Sequence, residues 1–307
     1  MRHCKEESRV SKFFEHLYSS YIPNSKDNLK QIIIKVFFFV CLVSLVTSTV
    51  FIADYFINAQ KQIAVAEESR TIWERTGKTP DPYSEAKQQL LAENSDFKGW
   101  ITINGTKVDN PIYQTKNNEY YLNHNQEKKK SVYGALFFDC ANVITEHKTD
   151  KNLIIYGHQM KNGLMFGELK KYKSLSFYKE NPTIKFSTLY KNSTYKVYSV
   201  MLLNAVKEDD NGYIYNIAKQ SFSSVEEFNA WRDEAYARSV IDTGIDVEID
   251  DNIITLVTCS SDFENARLVI MARETRAEES ETVDTSCAKV NVNAKYPEKW
   301  YAERGVK

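Results

Sequence analysis

The feature that most constrains this chain is a run of 18 uncharged residues, Val36 to Ala53, rich in Phe, Val and Leu. Lys35 and Asp54 bound the run. Residues 32–34, also apolar, extend it beyond Lys35, whose long side chain can reach back to the lipid headgroups. The stretch therefore attains the roughly 20 residues that a membrane-spanning helix needs.

A buried core helix and a cleaved signal peptide are the alternatives for this run. A core helix would carry polar positions at helical spacing, whereas here only Ser and Thr interrupt the apolar residues. A signal peptide would not be expected after a polar lead of about 30 residues, and no small-x-small cleavage site stands before Asp54. We therefore predict a retained, single-pass anchor over residues 32–54.

Basic residues lie on both sides of this anchor, with a mild excess before it: Lys26, Lys30 and Lys35 precede the run, and Lys61 and Arg70 follow it. This bias, a short N-terminal tail and a large C-terminal part favour a cytoplasmic N-terminus and a globular domain outside the cell.

Changes in composition and in the pattern of apolar and polar residues predict five segments along the chain. They are a cytoplasmic tail (1–31), the anchor (32–54), a stalk with leading helices (55–97), a β-rich domain (98–274) and a C-terminal extension (275–307). Within the β-rich domain, Asn104-Gly105 predicts a hairpin turn. Residues 223–239 predict an amphipathic helix capped by Ser224, whose simplest interpretation is a packing role.

Composition excludes several classes of function. The net charge of −1 offers no general attraction for nucleic acid. The five cysteines include no CxxC pair and no Cys–His set at metal-ligand spacing, so a zinc site is not expected. An odd and widely spread set of cysteines also does not make a disulfide framework.

Two apolar segments end in side chains that could react. Residues 253–259 predict a buried strand ending in Cys259, and Arg267 opens the apolar run that follows. Residues 152–156 predict another strand, followed by Gly157 and His158. A thiol needs a nearby cation or base to become a nucleophile, so His158 and Arg267 are candidates for that role.

The residues alone leave this pairing open. A cysteine at a strand end is more often a small buried hydrophobe, and a lone arginine is more often on the surface. The other histidines are less suitable: His3 and His16 precede the anchor, and His124 and His147 lie in polar stretches that we expect to be exposed.

The strings themselves resemble a known family. Residues 255–259, Thr-Leu-Val-Thr-Cys, resemble the TLxTC signature of sortases, the membrane-anchored cysteine transpeptidases of Gram-positive bacteria, and Arg267 stands where the sortase arginine follows. Residues 156–169 are similar to the class B histidine segment, in which a Met-Phe helix follows the histidine. Residues 118–122 resemble the segment that lines the sorting-signal groove in class B. The resemblance spans about 84–273 plus the anchor.

The resemblance implies a mostly β fold with added helices. It would be a closed β-barrel of about eight strands, with two N-terminal helices and one helix inserted between the last long strands. It also implies a site in which Cys259 is the nucleophile, His158 the general acid and base, and Arg267 the group that stabilises the oxyanion and the substrate. Substrate-binding residues would be Asn118, Leu122, Val257, Thr258 and Ser260.

The resemblance further implies an enzyme that needs no metal or organic cofactor. Its partners would be surface proteins with a C-terminal sorting signal, cut after Thr, and an amine of the cell-wall peptidoglycan or a pilin lysine. Val257 departs from the serine that many class B members carry. A cysteine protease that only hydrolyses and a catalytically silent adhesion domain remain alternatives.

Overall fold

The structure, a computed structural model, describes residues 20–74 and 85–305, and the chain divides into two compact units at Ile63 and Ala64. His3, His16 and most of the predicted cytoplasmic tail lie outside the described residues.

A long helix carries the apolar run. Helix α1 (Leu29–Glu74) is long and apolar enough to cross a membrane, and its apolar side chains between 36 and 53 point outward without protein cover. Thr47 and Thr49 donate their hydroxyls to backbone carbonyls one turn earlier, at 2.9 and 2.8 Å. Polar groups satisfied within the helix suit a hydrocarbon surrounding. Lys35 turns back to an ion pair with Asp27 at 2.8 Å.

The second unit is built on a closed eight-stranded barrel with the spatial order β1-β2-β3-β4-β8-β9-β6-β5. Its strands are β1 (Phe97–Thr102), β2 (Asp109–Tyr113), β3 (Leu136–Phe138), β4 (Asn152–Tyr156), β5 (Thr183–Thr188), β6 (Asn192–Asn204), β8 (Ile253–Cys259) and β9 (Ala266–Glu274). Two short strands, β7 (Ile241–Asp242) and β10 (Lys289–Val290), pair with each other outside the barrel.

Helices surround this barrel. After α1 they are α2 (Glu85–Glu93), α3 (Leu175–Glu180), α4 (Val225–Arg238) and α5 (Glu298–Arg304), and short 3-10 helices cover Tyr120–Leu122, Leu169–Lys173 and Lys207–Asp210. The prediction of a closed barrel of about eight strands, with leading helices and one inserted helix, is confirmed.

Both faces of the central strands are buried. Leu153 and Leu256 belong to the apolar cluster inside the barrel, whereas Ile154 and Val257 belong to a second cluster outside it, beneath α4. Strand side chains alternate between two faces, so successive residues of one strand serve the two clusters in turn. Strands β4 and β8 run parallel, as is typical of strands covered on both sides.

Helix α4 forms for the reasons expected from its sequence. The Ser224 hydroxyl accepts the backbone N–H of Glu227 at 3.2 Å and caps the first turn. Phe228 and Trp231 are buried in the outer cluster. Val225, the first residue of the helix, is exposed.

The C-terminal extension packs against the barrel. Strand β10 pairs with β7, and Tyr296 and Trp300 pack on the interior apolar cluster. Closer to the barrel, Glu279 accepts hydrogen bonds from both terminal nitrogens of Arg273. Glu279 also forms an ion pair with Lys196 at 2.7 Å. Arg273 and Lys196 are both buried, so Glu279 neutralises charge that water does not reach.

We predict that Glu279→Gln lowers the Tm of the full-length chain in detergent at pH 7 by roughly 3–12 °C. Hydrogen bonds to charged groups contribute about 1.5–3 kcal/mol, and 1 kcal/mol shifts the Tm of a domain of this size by about 2–4 °C. The hydrogen bonds from Arg273 hold the pKa of Glu279 well below its ordinary value of 4.5. A carboxylate whose pKa is lowered in the folded state adds its full contribution to the free energy of unfolding above pH 4.5, its ordinary pKa. This contribution is lost as the pH falls from there through the lowered pKa.

The Tm difference between Glu279→Gln and the parent chain should therefore shrink as the pH is lowered from 4.5 towards 3. Glu278→Gln, at the exposed neighbouring position, is the control and should leave Tm unchanged. A Tm gap that stays constant across this range would contradict the assignment.

Candidate active site

Cys259 and Arg267 face each other across two strands. Cys259 is the last residue of β8 and is exposed, and the antiparallel register pairs it with Arg267 near the start of β9. The cysteine thus meets the requirement of access, and the arginine supplies a fixed positive charge beside it.

His158 comes to the same place from β4. The parallel register pairs Tyr156 with Val257, and the N–H of Gly157 donates to the carbonyl of Val257 at 3.2 Å. The paired residues of this ladder end at Tyr156 and Val257, and His158 and Cys259 each follow two residues later along the chain. The chain positions of the imidazole, the thiol and the guanidinium therefore form a row at one end of three neighbouring strands.

Gly157 is required by the packing beneath this row. A Cβ at this position would lie 2.4 Å from Leu136 and 2.8 Å from Phe166, both of which are buried in the barrel interior. Because only glycine lets the chain pass this close, the sequence Gly-His brings the histidine to the barrel rim directly after the strand.

The ring of His158 is oriented by a backbone carbonyl. Its Nε2 lies 2.7 Å from the carbonyl oxygen of Leu122, at the end of the 3-10 helix Tyr120–Leu122. A carbonyl can only accept, so Nε2 carries a hydrogen in this arrangement. In the neutral ring Nδ1 is then the basic nitrogen, and it is the one left for proton exchange.

A tight loop fixes the backbone of His158. The N–H of Phe166 donates to the His158 carbonyl at 3.0 Å, and Phe166 is fully buried. The sequence resemblance implied a helix at Met165 and Phe166. Met165 instead has a φ of 53° and forms an isolated antiparallel bridge with Gln159, and helical structure begins at Leu169. The apolar side chain of Phe166 is drawn into the barrel core, which favours the loop over a surface helix.

The guanidinium of Arg267 is held by the connection that follows Cys259. Its Nη1 donates to the carbonyls of Ala266 at 3.0 Å and Asn265 at 3.4 Å. These contacts use one of its three nitrogens, so further N–H groups remain for an anionic oxygen.

Asn118 belongs to a polar network at the end of β3. Its amide donates to Asp139 at 3.0 Å and its carbonyl accepts the N–H of Cys140 at 2.7 Å. The same Asp139 oxygen accepts the hydroxyl of Tyr156 at 2.9 Å. Burial and the Asp139 charge raise the pKa of Tyr156 well above its ordinary value, so Tyr156 stays a hydrogen-bond donor. One amide hydrogen of Asn118 remains for a ligand.

The other residues assigned to substrate binding differ in access. The Leu122 side chain is 40% exposed, whereas Val257 and Thr258 are only 5% and 3% exposed. Burial of Val257 and Thr258 favours packing roles for these two side chains. Ser260 donates its hydroxyl to Asp262 and its N–H to the Ala266 carbonyl, so it stabilises the turn.

Sequence reasoning missed Asp262. Its carboxylate accepts a hydrogen bond from the Ser260 hydroxyl and forms an ion pair with Lys173 at 2.7 Å. Asp262 therefore links the turn after Cys259 to the 3-10 helix Leu169–Lys173, which follows the histidine segment. Burial acts to raise the pKa of Asp262, but the hydrogen bonds from Lys173 and Ser260 outweigh it and lower the pKa. An acidic residue three positions after the cysteine was the available signal.

The remaining cysteines and histidines of the described chain lie in other surroundings. Cys41, Cys140 and Cys287 are free and exposed. His147 is exposed, as predicted, whereas His124 is half-buried because its ring stacks on Tyr120 at 4.1 Å.

Comparison with known proteins gives a consistent result. Residues 101–275 match the sortase domain family. Sortase B of Listeria monocytogenes is 32% identical over 214 residues, covering 68% of this chain and 83% of that protein. Sortase B of Staphylococcus aureus is 30% identical over 188 residues, covering 61% of this chain and 73% of that protein.

Solved structures agree with these relatives. Sortase B from Bacillus anthracis in complex with AAEK1 superimposes with a TM-score of 0.62 at 29% identity, over 71% of this chain and 98% of that one. A Staphylococcus aureus sortase B–substrate complex gives a TM-score of 0.63 at 26% identity, over 72% and 100%.

We predict that Val257→Ser destabilises the protein without changing its chemistry. The substitution removes two buried methyl groups and buries a hydroxyl, which together cost about 2–3 kcal/mol, so Tm should fall by roughly 4–12 °C. Turnover at 25 °C should stay within about threefold of the parent chain, because loss of a packing contact leaves the reacting groups in place.

The measurement compares Tm and peptide turnover of Val257→Ser with those of Val290→Ser, whose valine is exposed on β10. A large gain in turnover, or an unchanged Tm, would show that position 257 serves the reaction rather than the packing.

Proposed function

The chain belongs to the class B sortases, and on this premise we propose that Cys259, His158 and Arg267 carry out its reaction. The protein is a cysteine transpeptidase of cell-wall sorting. The observation that supports the three roles is that the exposed Cys259 is paired with Arg267 on β9 and lies on the strand next to β4, which leads two residues later into His158.

In the first step, the Cys259 sulfur attacks the carbonyl carbon of Thr, at the bond between Thr and the next residue of a C-terminal sorting signal. The thiol proton passes to Nδ1 of His158, and from there to the nitrogen of the leaving amine. The peptide bond breaks, and a thioester between Cys259 and the surface protein forms. The bond from Nε2 to the Leu122 carbonyl keeps the ring oriented during this transfer.

Arg267 acts on the charge that develops. As the carbonyl becomes tetrahedral its oxygen turns negative, and a guanidinium on the adjacent strand stabilises that oxygen. Arginine suits the role because it stays protonated at any working pH. Its contacts with the Asn265 and Ala266 carbonyls fix the guanidinium before the substrate arrives.

An amine then resolves the thioester. His158 accepts a proton from the incoming nitrogen, which attacks the acyl carbon and releases the Cys259 thiol. We propose that this amine belongs to the peptidoglycan or to a pilin lysine. The alternative that water alone resolves the thioester differs only in the acceptor.

We further propose that residues 32–54 of α1 anchor the enzyme, with the N-terminus in the cytoplasm and the barrel outside the cell. The length and apolar surface of α1 support the anchor. The acceptor amine and the surface protein would then be met on the outer side.

We predict that His158→Ala loses at least about 100-fold in the rate of sorting-peptide cleavage, as expected when a general acid and base is removed. His124→Ala and His147→Ala are matched controls and should each keep turnover within about threefold. The measurement is cleavage of a fluorogenic sorting peptide by the full-length chain, with and without an amine acceptor.

Equal losses in the three histidine variants would contradict the role of His158. Formation of the free acid alone, at every acceptor concentration, would favour the hydrolytic alternative over transpeptidation.

A further inference from the structure

The connection between Cys259 and Arg267 decides where the guanidinium lies. We call residues 260–265 the β8–β9 turn. The Arg267 guanidinium donates to the carbonyl of Asn265, inside this turn, and to that of Ala266, directly after it. Asn265 itself has a φ of 62°, in the left-handed region that asparagine adopts more readily than most other non-glycine residues. Any contact that fixes the turn therefore also fixes Arg267.

Helix α5, which lies after the residues that match the sortase family, makes such contacts. Lys299 forms an ion pair with Glu264 of the turn at 2.9 Å. Arg304 donates to the carbonyl of Asp262 at 3.2 Å, and the carboxylate of Glu303 accepts the N–H of Glu264 at 3.4 Å. Three side chains of one short helix thus reach a turn of six residues.

Lys299 also contacts the segment that follows β6, which lies next to the turn. Its Nζ lies 3.1 Å from the carboxylate of Asp209, in the 3-10 helix that follows β6. Asp209 in turn accepts the side-chain amide of Asn265 at 3.5 Å, and the N–H of Ala205 donates to the Asn265 carbonyl at 3.1 Å. Lys299 therefore joins the turn to the end of β6 through two carboxylates.

Apolar contacts also hold helix α5 on the barrel, independently of these polar contacts. Trp300 stacks on Tyr296 with ring centroids 3.9 Å apart, and both pack against the interior cluster of the barrel. Arg304 lies over the Trp300 ring at 4.3 Å, so its side chain is already ordered where it meets the turn. Loss of Lys299 alone should leave α5 docked.

We propose that α5 is a clamp on the β8–β9 turn and that Lys299 is its main positioning residue, keeping Arg267 aligned with Cys259. This inference rests on the proposed roles of those two residues. Lys299 does not touch the reacting atoms. Helix α5 of the C-terminal extension would thereby position a catalytic residue without touching the substrate.

The exposure of the clamp determines what its loss should change. Glu264 is 78% exposed, and such pairs contribute little to global stability. A small displacement of a catalytic group nevertheless reduces the rate strongly, by up to about 100-fold for 1 Å. The effect of losing Lys299 should therefore appear in turnover and not in Tm.

The test uses the full-length chain in detergent with a sorting peptide and an amine acceptor. Lys299→Gln should reduce kcat by roughly tenfold, within the range for small misplacements. KM should change by less than about twofold and Tm by less than about 1 °C, because an exposed pair adds little to stability. Lys299→Arg, which keeps the charge, should restore most of kcat.

Lys295→Gln is the matched control. Lys295 belongs to the same extension and forms an ion pair of the same length, 2.9 Å, but with Glu234 of α4 and not with the turn. The kcat of the Lys295→Gln variant should equal that of the parent chain. Glu264→Gln should lower kcat less than Lys299→Gln, and the double variant should be no slower than Lys299→Gln alone, since the two residues share one contact.

Three outcomes would overturn the clamp: an unchanged kcat in Lys299→Gln, a loss that Lys295→Gln reproduces, or a loss that Lys299→Arg does not relieve. Arg267→Lys separates this failure from that of the proposed function. If Arg267→Lys is severely impaired while Lys299→Gln is normal, only the clamp is wrong. If Arg267→Lys turns over normally, the role of Arg267 itself is wrong.

Discussion

The hydrogen-bond register of β4, β8 and β9 is the constraint on which the rest of the site depends. One parallel and one antiparallel ladder set Tyr156 opposite Val257 and Cys259 opposite Arg267. A slip of one residue in either ladder would turn a whole set of side chains to the other face of the sheet. Because both faces of these strands are buried, such a slip would exchange side chains between two closely packed apolar clusters, so the packing of both clusters specifies the register.

This arrangement separates rigid parts from adjustable ones. The ladder fixes the backbone of Cys259, and the buried Phe166 fixes that of His158. The ring of His158 and the guanidinium of Arg267 lie beyond the ladders, and both are oriented by carbonyl oxygens of neighbouring loops. The chemistry therefore depends on loops as much as on strands, which explains why the contacts of the C-terminal helix with one such loop matter.

Much of the fold could be predicted because local chemistry decides it. Asn104-Gly105 predicted the hairpin of β1 and β2, and Ser224 predicted the start of the inserted helix. The apolar runs before His158 and up to Cys259 predicted the two strands that carry these residues to the rim of the barrel. The roles of Cys259 and His158 stay predictions from the family resemblance.

Other features had no local signal. Strands buried on both faces show no alternation, so the burial of Val257 and Thr258 could not be distinguished from access to a groove. The carbonyl of Leu122 meets His158 only through the tertiary fold, and a backbone acceptor leaves no trace in the sequence. For residues 275–307 we predicted an extension and no contact with the barrel, although the aromatic residues Tyr296 and Trp300 could have indicated its packing.

The most direct test of the central claim is the intact mass of the full-length enzyme after mixing with a sorting peptide in the absence of an amine acceptor. The account predicts a covalent adduct with the mass of the peptide fragment ending at Thr, located on Cys259 and discharged when an amine is added. An adduct on Cys140 or Cys287, or continued cleavage by Cys259→Ala, would contradict it.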